Sequence, residues 1–442
     1  MSEQLTPFAH PWPEDIVGNV ATVTVGGTPS TAVSSYWNGD VPWMASGDVH
    51  LKKVIDVPQR ISELGLRHSA ATLVDPPSVA VALAGQGKTR GTAALVLCRL
   101  CTNQSVALIS PRSDDVVTEY LFFNLQFRYD ELRSRSAGGG RAGLTKRLIE
   151  QIPLPLPPRA EQEKIAEILS AVERAVEETE AVVAKLQRVA RGMMMDLFTR
   201  GIDDDGRLRS ETSHKFKDSI WGKIPAEWDV VETRHVCSLI TKGTTPKVRS
   251  TEGPRFCVPY LRVENLTFSG ELDLSDLAFI DNTTQRGELA RSRVVPGDVL
   301  QNIVGPPLGK VATVPDDYPE WNINQAIALF RPNARVLGCF LSYWLRCPAT
   351  RTWFDINSKK TSGQQNLTLE HCQKIPILLP PLDEQTRICS TLNAVTNSQE
   401  GRLRQVHKLR LLKTALMQDL LTGRKRVTPL LEVSCRIAAQ SS

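Results

Sequence analysis

Three short motifs bring together side chains whose types could do chemistry. Gly85-Gln-Gly-Lys-Thr89 could end a loop that holds nucleotide phosphates, and Asp75-Pro-Pro-Ser78 could present a base for methylation. The pair Cys98 and Cys101 could supply half of a zinc site. All three motifs lie within a short part of the first half of the chain, so each has to be tested against the chemistry it would need.

The phosphate-loop motif lacks both parts that hold phosphate. Such a loop needs a glycine five residues before Gly87, where Ala82 stands, and a helix whose N-terminus faces the phosphates. The run that follows, 90–98, is strand-like instead. We therefore interpret the motif as a glycine turn that presents Lys88. A nucleotide-dependent enzyme that uses Gly85–Thr89 is the alternative.

The other two motifs are also incomplete. Ser78 stands where a base-stacking aromatic side chain is needed, and no second cysteine pair follows Cys101 at zinc-binding spacing. The seven histidines form no HExxH cluster. We expect no catalytic residue, no metal site and no cofactor bound by this chain, which favours a binding function over an enzyme.

The elements that carry these motifs occur twice. Seven segments recur in the same order, at a spacing that grows from 217 to 223 residues and then stays constant. They are Gly26–Pro29 with Gly243–Pro246, Val41–Met44 with Val258–Leu261, Asn103–Ala107 with Asn324–Ala328, Leu144-Thr145 with Leu367-Thr368, Ile152–Pro158 with Ile375–Pro381, Glu161-Gln162 with Glu384-Gln385, and Asp196–Thr199 with Asp419–Thr422. The chain is therefore a tandem duplication of one unit.

Each copy begins with a globular part and ends with a helix. The globular parts contain short β-type runs and one amphipathic helical stretch each, at 116–133 and 337–354. The helical parts begin after Pro158 and Pro381 and repeat apolar residues every three or four positions. The predicted helix-pair residues are Ile165, Leu169, Val172, Val176, Val183, Leu186, Met193 and Leu197 in the first helix, and Ile388, Leu392, Val395, Val406, Leu409, Leu416 and Leu420 in the second.

The two helices are the simplest partners for each other. A helix of about 40 residues is about 60 Å long, too long for its stripe to be covered by one small domain. The second stripe is interrupted by Gln399, Arg402 and Lys413. Two separate helices that bind other proteins are the alternative arrangement.

These features predict an α+β protein, an internal repeat in which two similar α/β domains are joined by two long, paired coiled-coil helices. The predicted segments are globular domain 1 (1–158), long helix 1 (159–200), a linker (201–219), globular domain 2 (220–382), long helix 2 (383–423) and a solvated tail (424–442).

Polar loops at matched positions are candidates for binding nucleic acid. The loops 134–143 and 357–366 differ strongly in sequence although the segments on either side of them match. This is expected if the two copies share one fold and use these loops to contact different DNA sequences. The alternative is that both are exposed loops whose sequences diverged without a binding role. Basic side chains neutralise phosphate, and Arg, Asn and Gln pair with base edges. The candidates are Thr28, Lys88, Arg90, Arg135, Arg141, Thr145 and Lys146 in the first copy, and Thr245, Lys247, Arg262, Lys310, Lys359, Lys360, Ser362, Gln364, Gln365 and Asn366 in the second.

The composition is that of an ordinary globular protein. The chain has 442 residues, of which 41% are hydrophobic and 23% charged, with a net charge of +5. A mild positive charge permits DNA binding without requiring it. No apolar run is long enough to span a membrane, the N-terminal sequence does not have the pattern of a secretory signal, and the nine cysteines are scattered. We expect a cytoplasmic protein with reduced thiols.

The doubled set of motifs resembles the specificity subunit of type I restriction–modification systems. It consists of Gly26–Pro29, Ile152–Pro158 and Glu161-Gln162, their second copies, and Asp419–Gly423. Gly222–Trp228 resembles the usual start of such a domain, and the corresponding segment of the first copy, 10–13, is degenerate.

The resemblance implies a subunit that is not catalytic by itself. The two globular parts would be target recognition domain 1 (1–158) and target recognition domain 2 (220–382), each of which reads one half of a bipartite, asymmetric site in double-stranded DNA. The helices would be conserved spacer helices (159–200 and 383–423) that form an antiparallel coiled coil, with the two copies in a pseudo-two-fold arrangement. They would fix the spacing of the halves and dock two methyltransferase subunits, which restriction/translocase subunits would join. S-adenosylmethionine, ATP and Mg²⁺ would belong to those partners. A structural coiled-coil adaptor without a DNA role is a further alternative.

Overall fold

The computed structural model describes residues 11–85, 87–135, 143–246, 257–361 and 364–432. The chain forms two compact units. Unit 1 contains Met1–Thr179 together with Gln405–Ser442, and unit 2 contains Glu180–Arg404. Unit 1 therefore takes its residues from both ends of the sequence, whereas unit 2 is continuous.

The first half of the chain contains ten strands and six helices among the described residues. The strands are β1 (Glu14–Ile16), β2 (Ala21–Val25), β3 (Trp37–Met44), β4 (Lys53–Val54), β5 (Arg60–Ile61), β6 (Ser78–Ala82), β7 (Ala93–Val96), β8 (Cys101–Thr102), β9 (Val106–Pro111) and β10 (Pro153–Pro155). The helices are α1 (Val17–Val20), α2 (Glu63–Arg67), α3 (Thr118–Phe127), α4 (Tyr129–Arg135), α5 (Lys146–Glu150) and α6 (Arg159–Thr199).

The main sheet of unit 1 has five strands in the order β2-β9-β6-β7-β4. Its central strand β6 is buried along its whole length because both faces of the sheet are covered. Val79 and Val81 pack into one hydrophobic cluster with α3, and Ala80 and Ala82 pack into another on the opposite face. This alternation is the period of two that a strand imposes on its side chains. A smaller sheet has the order β5-β3-β8, and β1 pairs with β10.

The second half contains fourteen strands and five helices among the described residues. The strands are β11 (Phe216–Ser219), β12 (Gly222–Pro225), β13 (Asp229–Glu232), β14 (Cys237–Lys242), β15 (Cys257–Leu261), β16 (Ala278–Asp281), β17 (Val299–Asn302), β18 (Val304–Gly305), β19 (Val311–Thr313), β20 (Asn322–Ile323), β21 (Ile327–Pro332), β22 (Lys359–Thr361), β23 (Gln364–Asn366) and β24 (Pro376–Leu379). The helices are α7 (Asn282–Arg286), α8 (Gly338–Arg346), α9 (Pro348–Asn357), α10 (Leu369–Gln373) and α11 (Leu382–Leu421).

The main sheet of unit 2 repeats the plan of unit 1. Its order is β14-β21-β17-β19, and β21 alternates between two clusters as the equivalent strand β9 does. Ala328 and Phe330 pack on the side of α8, whereas Ile327 and Leu329 pack on the other side. Two further sheets have three strands each, in the orders β16-β15-β20 and β18-β23-β22. Two more sheets are the strand pairs β13-β24 and β11-β12. The predicted duplication and mixed α and β class are therefore confirmed.

The long helices α6 and α11 contribute to both units. In unit 1 the beginning of α6, with Ile165 and Leu169, packs in one cluster with Met417 and Leu420 near the end of α11. In unit 2 the end of α6, with Leu197, packs in one cluster with Ile388 and Leu392 near the beginning of α11. Within each unit the beginning of one helix meets the end of the other, which is the antiparallel pairing that was predicted.

Each predicted amphipathic stretch is divided into two helices. The stretch 116–133 contains α3 and most of α4, and the stretch 337–354 contains α8 and most of α9. In the second copy the division falls where Pro348 is the first residue of α9. Proline lacks the N–H that would continue α8 and fits the first turn of a new helix.

The prediction of a loop at 357–366 was wrong. Strands β22 and β23 pair antiparallel there, and β23 also pairs with β18. This hairpin therefore adds two strands beside Val304–Gly305. In the first copy, α4 ends at Arg135, and residues 136–142 lie outside the described residues.

The described residues of the predicted linker (201–219) and tail (424–432) are more ordered than expected. Arg209 is buried within the linker, which also forms β11. In the tail, Arg424 and Lys425 form ion pairs with Asp419, and Arg426 pairs with Glu161. These cations are not a free basic end, because carboxylates of the long helices hold them.

Candidate nucleic-acid interface

The turn Gly26–Pro29 carries an exposed hydroxyl–amide pair. The Thr28 hydroxyl donates a hydrogen bond of 2.6 Å to Oε1 of Gln104, and both side chains are exposed. Close backbone approach requires Gly26, since a Cβ there would lie 1.8 Å from the carbonyl oxygen of Thr102. The Gly27 N–H donates to that same carbonyl at 2.9 Å. The glycines thus bring the turn onto the strand that precedes Gln104.

The turn Gly243–Pro246 repeats this arrangement. Thr245 donates to Oε1 of Gln325, and a Cβ on Gly243 would lie 2.0 Å from the Ile323 carbonyl oxygen. An exposed cation is added in this copy, because Nη2 of Arg291 donates to the Thr244 hydroxyl at 2.9 Å. The two recognition domains therefore share one polar turn with different surroundings.

A buried aromatic side chain donates a hydrogen bond to the backbone of each turn. Nε1 of Trp43 donates to the Gly27 carbonyl at 2.9 Å, and the Tyr260 hydroxyl donates to the Thr244 carbonyl, also at 2.9 Å. Trp43 and Tyr260 are both almost completely buried. Buried aromatic groups with a satisfied polar atom make rigid supports.

The Thr–Gln pair is chemically suited to reading a base edge. Because the threonine hydroxyl occupies the amide oxygen, the amide NH₂ of Gln104 or Gln325 is left with two donor hydrogens. Glutamine amides in the major groove recognise bases, and they do so best when their orientation is fixed in advance. The geometry therefore provides one oriented amide in each recognition domain.

The two predicted lysines at the hairpin tips differ. Lys88 is exposed on the turn between β6 and β7, where Gly87 has a φ of +60°. A strand follows this turn, so Gly85–Thr89 lacks the helix N-terminus that a phosphate loop requires. Lys310, in the matching turn, is half-buried and donates to the Val263 carbonyl at 3.3 Å. We therefore expect phosphate contact from Lys88 rather than from Lys310.

The second-copy hairpin holds the largest group of predicted contacts. Lys359 is exposed on β22, opposite Asn366 on β23. Lys360 pairs in register with Gln365, whose side-chain amide donates to Asp355 at 3.4 Å. Gln364 begins β23, whereas Ser362 lies outside the described residues.

Several other predicted residues have structural contacts. Thr145 caps α5, because its hydroxyl accepts from the Leu148 N–H at 3.3 Å, and Lys146 lies 3.7 Å from Glu150. Arg262 forms a 2.7 Å ion pair with Asp276.

Four predicted residues remain, two in the described part of the first copy and two outside the described residues. Arg90 is half-buried and its carbonyl accepts from Arg133 at 3.4 Å, and Arg135 ends α4. Arg141 and Lys247 lie outside the described residues. Among the described residues, Thr28 and Thr245 therefore lie in matched polar turns, whereas Thr145, Lys146 and Arg262 make structural contacts.

The predicted helix-pair residues are all buried or half-buried. Among them Ile165, Leu169, Ile388 and Leu392 are at most 2% exposed. The sequence pattern missed Met417 and Leu421, which are also buried in unit 1. Lys413, which interrupts the apolar stripe, donates to the carboxylate of Glu173 and to Gln126 at 2.8 Å.

Glu173 holds unit 1 together at this polar interruption. Its side chain is 4% exposed, and Lys52 of the recognition domain donates to it at 2.7 Å. Burial raises the pKa of Glu173, but the hydrogen bonds from Lys413 and Lys52 outweigh burial and lower it below its ordinary value. The ionised carboxylate therefore joins α6, α11 and recognition domain 1.

The repeated Glu-Gln motif fastens the ends of the long helices. Glu384 accepts from Arg209, from the Trp228 indole at 2.9 Å and from the Ile202 N–H at 2.8 Å. Glu161 accepts from Arg426, whose guanidinium lies 5.4 Å from the Trp12 ring centroid. Each arginine lies just after the end of the other long helix in its unit. Each glutamate therefore attaches the start of its own helix to the segment that follows the end of the other helix.

The glutamines of the same motif fasten α3 and α8. Oε1 of Gln162 accepts from the Val117 N–H, and Oε1 of Gln385 accepts from the Leu337 N–H, both at 2.9 Å. These contacts satisfy backbone groups at helix starts that would otherwise lack partners. The motif thus joins each recognition domain to its long helix.

Sequence reasoning missed Gln104, Gln325 and Arg291 as candidate contacts. The first two belong to the repeated segments Asn103–Ala107 and Asn324–Ala328, which were used only as evidence of duplication. Polar residues repeated beside a glycine turn were the available signal. Arg291 has no counterpart in the repeated segments, so no signal pointed to it.

The described residues contain no group of three or more His, Cys, Asp or Glu side chains that could hold a metal ion. Their helices include none that is long and apolar enough to cross a membrane.

The sequence matches the family model described as Type I restriction modification DNA specificity domain twice, over residues 11–188 and 225–408. It is similar to the Type I restriction enzyme MjaVIII specificity subunit of Methanocaldococcus jannaschii, with 28% identity over 320 residues and 70% of each chain covered. It is also similar to the EcoBI specificity subunit of Escherichia coli, with 25% identity over 296 residues, covering 65% of this chain and 60% of that one.

A solved structure shares the fold. The S subunit of a type-I restriction-modification system from M. genitalium matches with a TM-score of 0.58 and 12% identity. The match covers 95% of this chain and 98% of that chain. The likeness therefore extends over both copies of the repeat.

Proposed function

We propose a function from the premise that this chain belongs to the type I restriction–modification DNA specificity family, whose domain it carries twice. The chain is the DNA-recognition subunit of a type I restriction–modification complex. Each recognition domain reads one half of a bipartite, asymmetric site. The observation that carries this division is the polar turn with its oriented Thr–Gln pair, which is present once in each unit.

The two surfaces differ enough to read different sequences. The turn of unit 2 has Arg291 beside it and belongs to a domain with the β22–β23 hairpin and exposed Lys359. The turn of unit 1 belongs to a domain that presents exposed Lys88 at a hairpin tip. Amides specify bases, whereas lysines neutralise phosphate and position the domain. Each domain thus combines a specifying group with a positioning group.

Methylation mapping tests this role. Cells that contain the partner genes are compared with and without this gene, and then with the variants Gln104→Ala and Gln325→Ala. A bipartite methylated motif should require the gene. Each variant should relax discrimination at a base in one half-site only, by about 5–150-fold. Gln151→Ala, which alters an exposed glutamine elsewhere in recognition domain 1, serves as the control and should change neither half.

Three outcomes would count against the proposal. A methylation pattern that is independent of the gene would favour the structural adaptor. Equal changes in both half-sites with Gln104→Ala would contradict one reader per half-site. ATP binding by the purified chain that is lost in Lys88→Ala would instead favour the nucleotide-dependent enzyme.

The paired helices act in this proposal as a spacer and a docking platform. Inserting one heptad into each of α6 and α11 keeps the apolar stripe in phase and lengthens the pair by about 10 Å. The unread gap between the half-sites should grow by about three base pairs, with both half-sites unchanged. A heptad in only one helix should disturb the pairing and abolish methylation. An unchanged gap after the matched insertion would refute the spacer role.

Catalysis belongs to the partners in this proposal. The expected partners are two methyltransferase subunits and the restriction/translocase subunits, with S-adenosylmethionine, ATP and Mg²⁺ bound by them and a cytoplasmic location for the complex. The chain itself supplies recognition and scaffolding. Purification of the complex with a tagged form of this chain, followed by native mass spectrometry, measures which subunits bind and in what number.

A further inference from the structure

Two thiols of unit 2 lie closer than ordinary non-bonded contact. Cys339 is in α8 of recognition domain 2, and Cys389 is in the first turns of α11. Their Sγ atoms are 2.6 Å apart. A disulfide bond needs about 2.05 Å, so a small movement of either side chain would bring the sulfurs to bonding distance.

The two sulfurs differ in the way that disulfide formation needs. Cys339 is half-buried and is the second residue of α8, where the positive end of the helix dipole favours a thiolate. The hydrogen bond that it shares with Cys389 lowers the pKa of Cys339 to about 7. The same contact, together with burial, raises the pKa of Cys389. The more accessible Cys339 sulfur is therefore the one that attacks the oxidant, and the buried Cys389 sulfur then resolves the mixed disulfide.

Three other described cysteines lack the lowered pKa that Cys339 has. Burial raises the pKa of Cys101 and of Cys347 to about 11, and that of Cys372 to about 12. Buried thiols of this kind behave as small hydrophobic side chains and react slowly. The pair is also specific to the second copy, since Glu119 and Ala166 occupy the equivalent positions of the first.

We propose that Cys339 and Cys389 form a reversible disulfide that joins α8 of recognition domain 2 covalently to α11. The co-reactant is a small-molecule disulfide such as oxidised glutathione. The Cys339 thiolate attacks one of its sulfurs and forms a mixed disulfide, and one thiolate leaves. The Cys389 thiol then loses its proton and attacks the Cys339 sulfur, and the second small thiol leaves. The protein loses two electrons and two protons, and the co-reactant becomes two thiols.

The bond would strengthen an attachment that already exists. Gln385, one helical turn before Cys389, already accepts from the Leu337 N–H and donates to the Arg335 carbonyl at 3.0 Å. The disulfide closes a chain loop of about 50 residues, so it lowers the entropy of the unfolded chain. Oxidation therefore makes recognition domain 2 harder to detach from its helix, while unit 1 is unaffected.

The experiment uses the full-length purified chain. It is reduced and then equilibrated in buffers with increasing ratios of oxidised to reduced glutathione. Digestion without reductant and mass spectrometry should find the peptides of Cys339 and Cys389 linked, with the mass of two hydrogens lost. The melting temperature of the transition that involves unit 2 should rise by several degrees and return after dithiothreitol.

Alanine variants separate this bond from other oxidation. Cys339→Ala and Cys389→Ala should each abolish the linked peptide and the rise in melting temperature. Cys98→Ala, which removes a half-buried thiol of unit 1, should preserve both. Circular dichroism establishes that each variant is folded, and Cys339→Ala, at the more exposed position, tests the proposal if Cys389→Ala is unstable. Absence of a Cys339–Cys389 link in folded, oxidised chain, or the same stabilisation in Cys339→Ala, would overturn the proposal.

Discussion

The ion pair between Glu384 and Arg209 gives the sharpest test of how unit 2 holds its long helix. The two side chains are 1% and 9% exposed. Glu384 also accepts from the Trp228 indole and the Ile202 N–H. Replacing Glu384 by alanine therefore leaves a buried guanidinium, an indole N–H and a backbone N–H without their carboxylate.

The expected cost follows from these contacts. Removing one partner of a buried ion pair costs about 3–5 kcal/mol, because the other charge stays buried. Glu227 lies 3.2 Å from Arg209 and is half-exposed, so it compensates part of the loss. We therefore expect Glu384→Ala to lower the unfolding free energy of unit 2 by about 3 kcal/mol. At an m value of about 2–3 kcal/mol per molar urea, the midpoint falls by about 1–1.5 M.

The assay is equilibrium urea unfolding followed by tryptophan fluorescence, to which Trp228 contributes together with the other seven tryptophans. Asp204→Asn is the matched control, because it removes an exposed ion pair that Arg387 makes on the same helix at 2.9 Å. Exposed pairs contribute less than about 1 kcal/mol. The double variant Glu384→Ala with Arg209→Ala should lose less than the sum of the single losses. A Glu384→Ala loss equal to that of the control, or strictly additive losses, would refute the reasoning.

Three further predictions concern single contacts. Gly26→Ala should prevent stable folding of recognition domain 1, measured by proteolysis, because its Cβ would overlap the Thr102 carbonyl. The lowered pKa of Glu173 stabilises unit 1 above the ordinary pKa of 4.5, and this stability is lost as pH falls through the lower folded value. Thermal melts from about pH 6 to pH 3 should therefore show a smaller fall in melting temperature for Glu173→Gln, from a less stable starting value, than for the unaltered chain. Gln385→Ala should expose the start of α8, and amide hydrogen exchange at Leu337 should become faster by at least tenfold.

The sequence predicted the elements whose signals are local. The prolines before α6 and α11 and the apolar spacing within them were sufficient to predict both helices and their pairing. The duplication was visible because Gly26–Pro29 and Asn103–Ala107 have close second copies. Local patterns of this kind depend on neighbouring residues alone, so they can be recognised without knowing which distant segments of the chain come into contact.

The contacts that build the site were not visible in the same way. Thr28 meets Gln104 across 76 positions, and Glu161 meets Arg426 across 265. No sequence periodicity links residues that are so far apart. A glutamate at the start of a helix is ordinarily explained by its favourable interaction with the helix dipole, so Glu161 did not indicate a distant partner. Strands β22 and β23 were missed because their polar sequence has the composition of a loop, and pairing with β18 decides their structure.

The discontinuous composition of unit 1 has a consequence for synthesis on the ribosome. Its hydrophobic cluster includes Leu420 and Leu421, and its buried Glu161 has its partner in Arg426. The recognition domain that is translated first therefore cannot complete its core until translation has passed Arg426. Unit 2 has all of its residues earlier, by Arg404. We expect the usual order of N-terminal domain first to be reversed in this protein, with Ile165 and Leu169 exposed in the nascent chain until the end of α11 emerges.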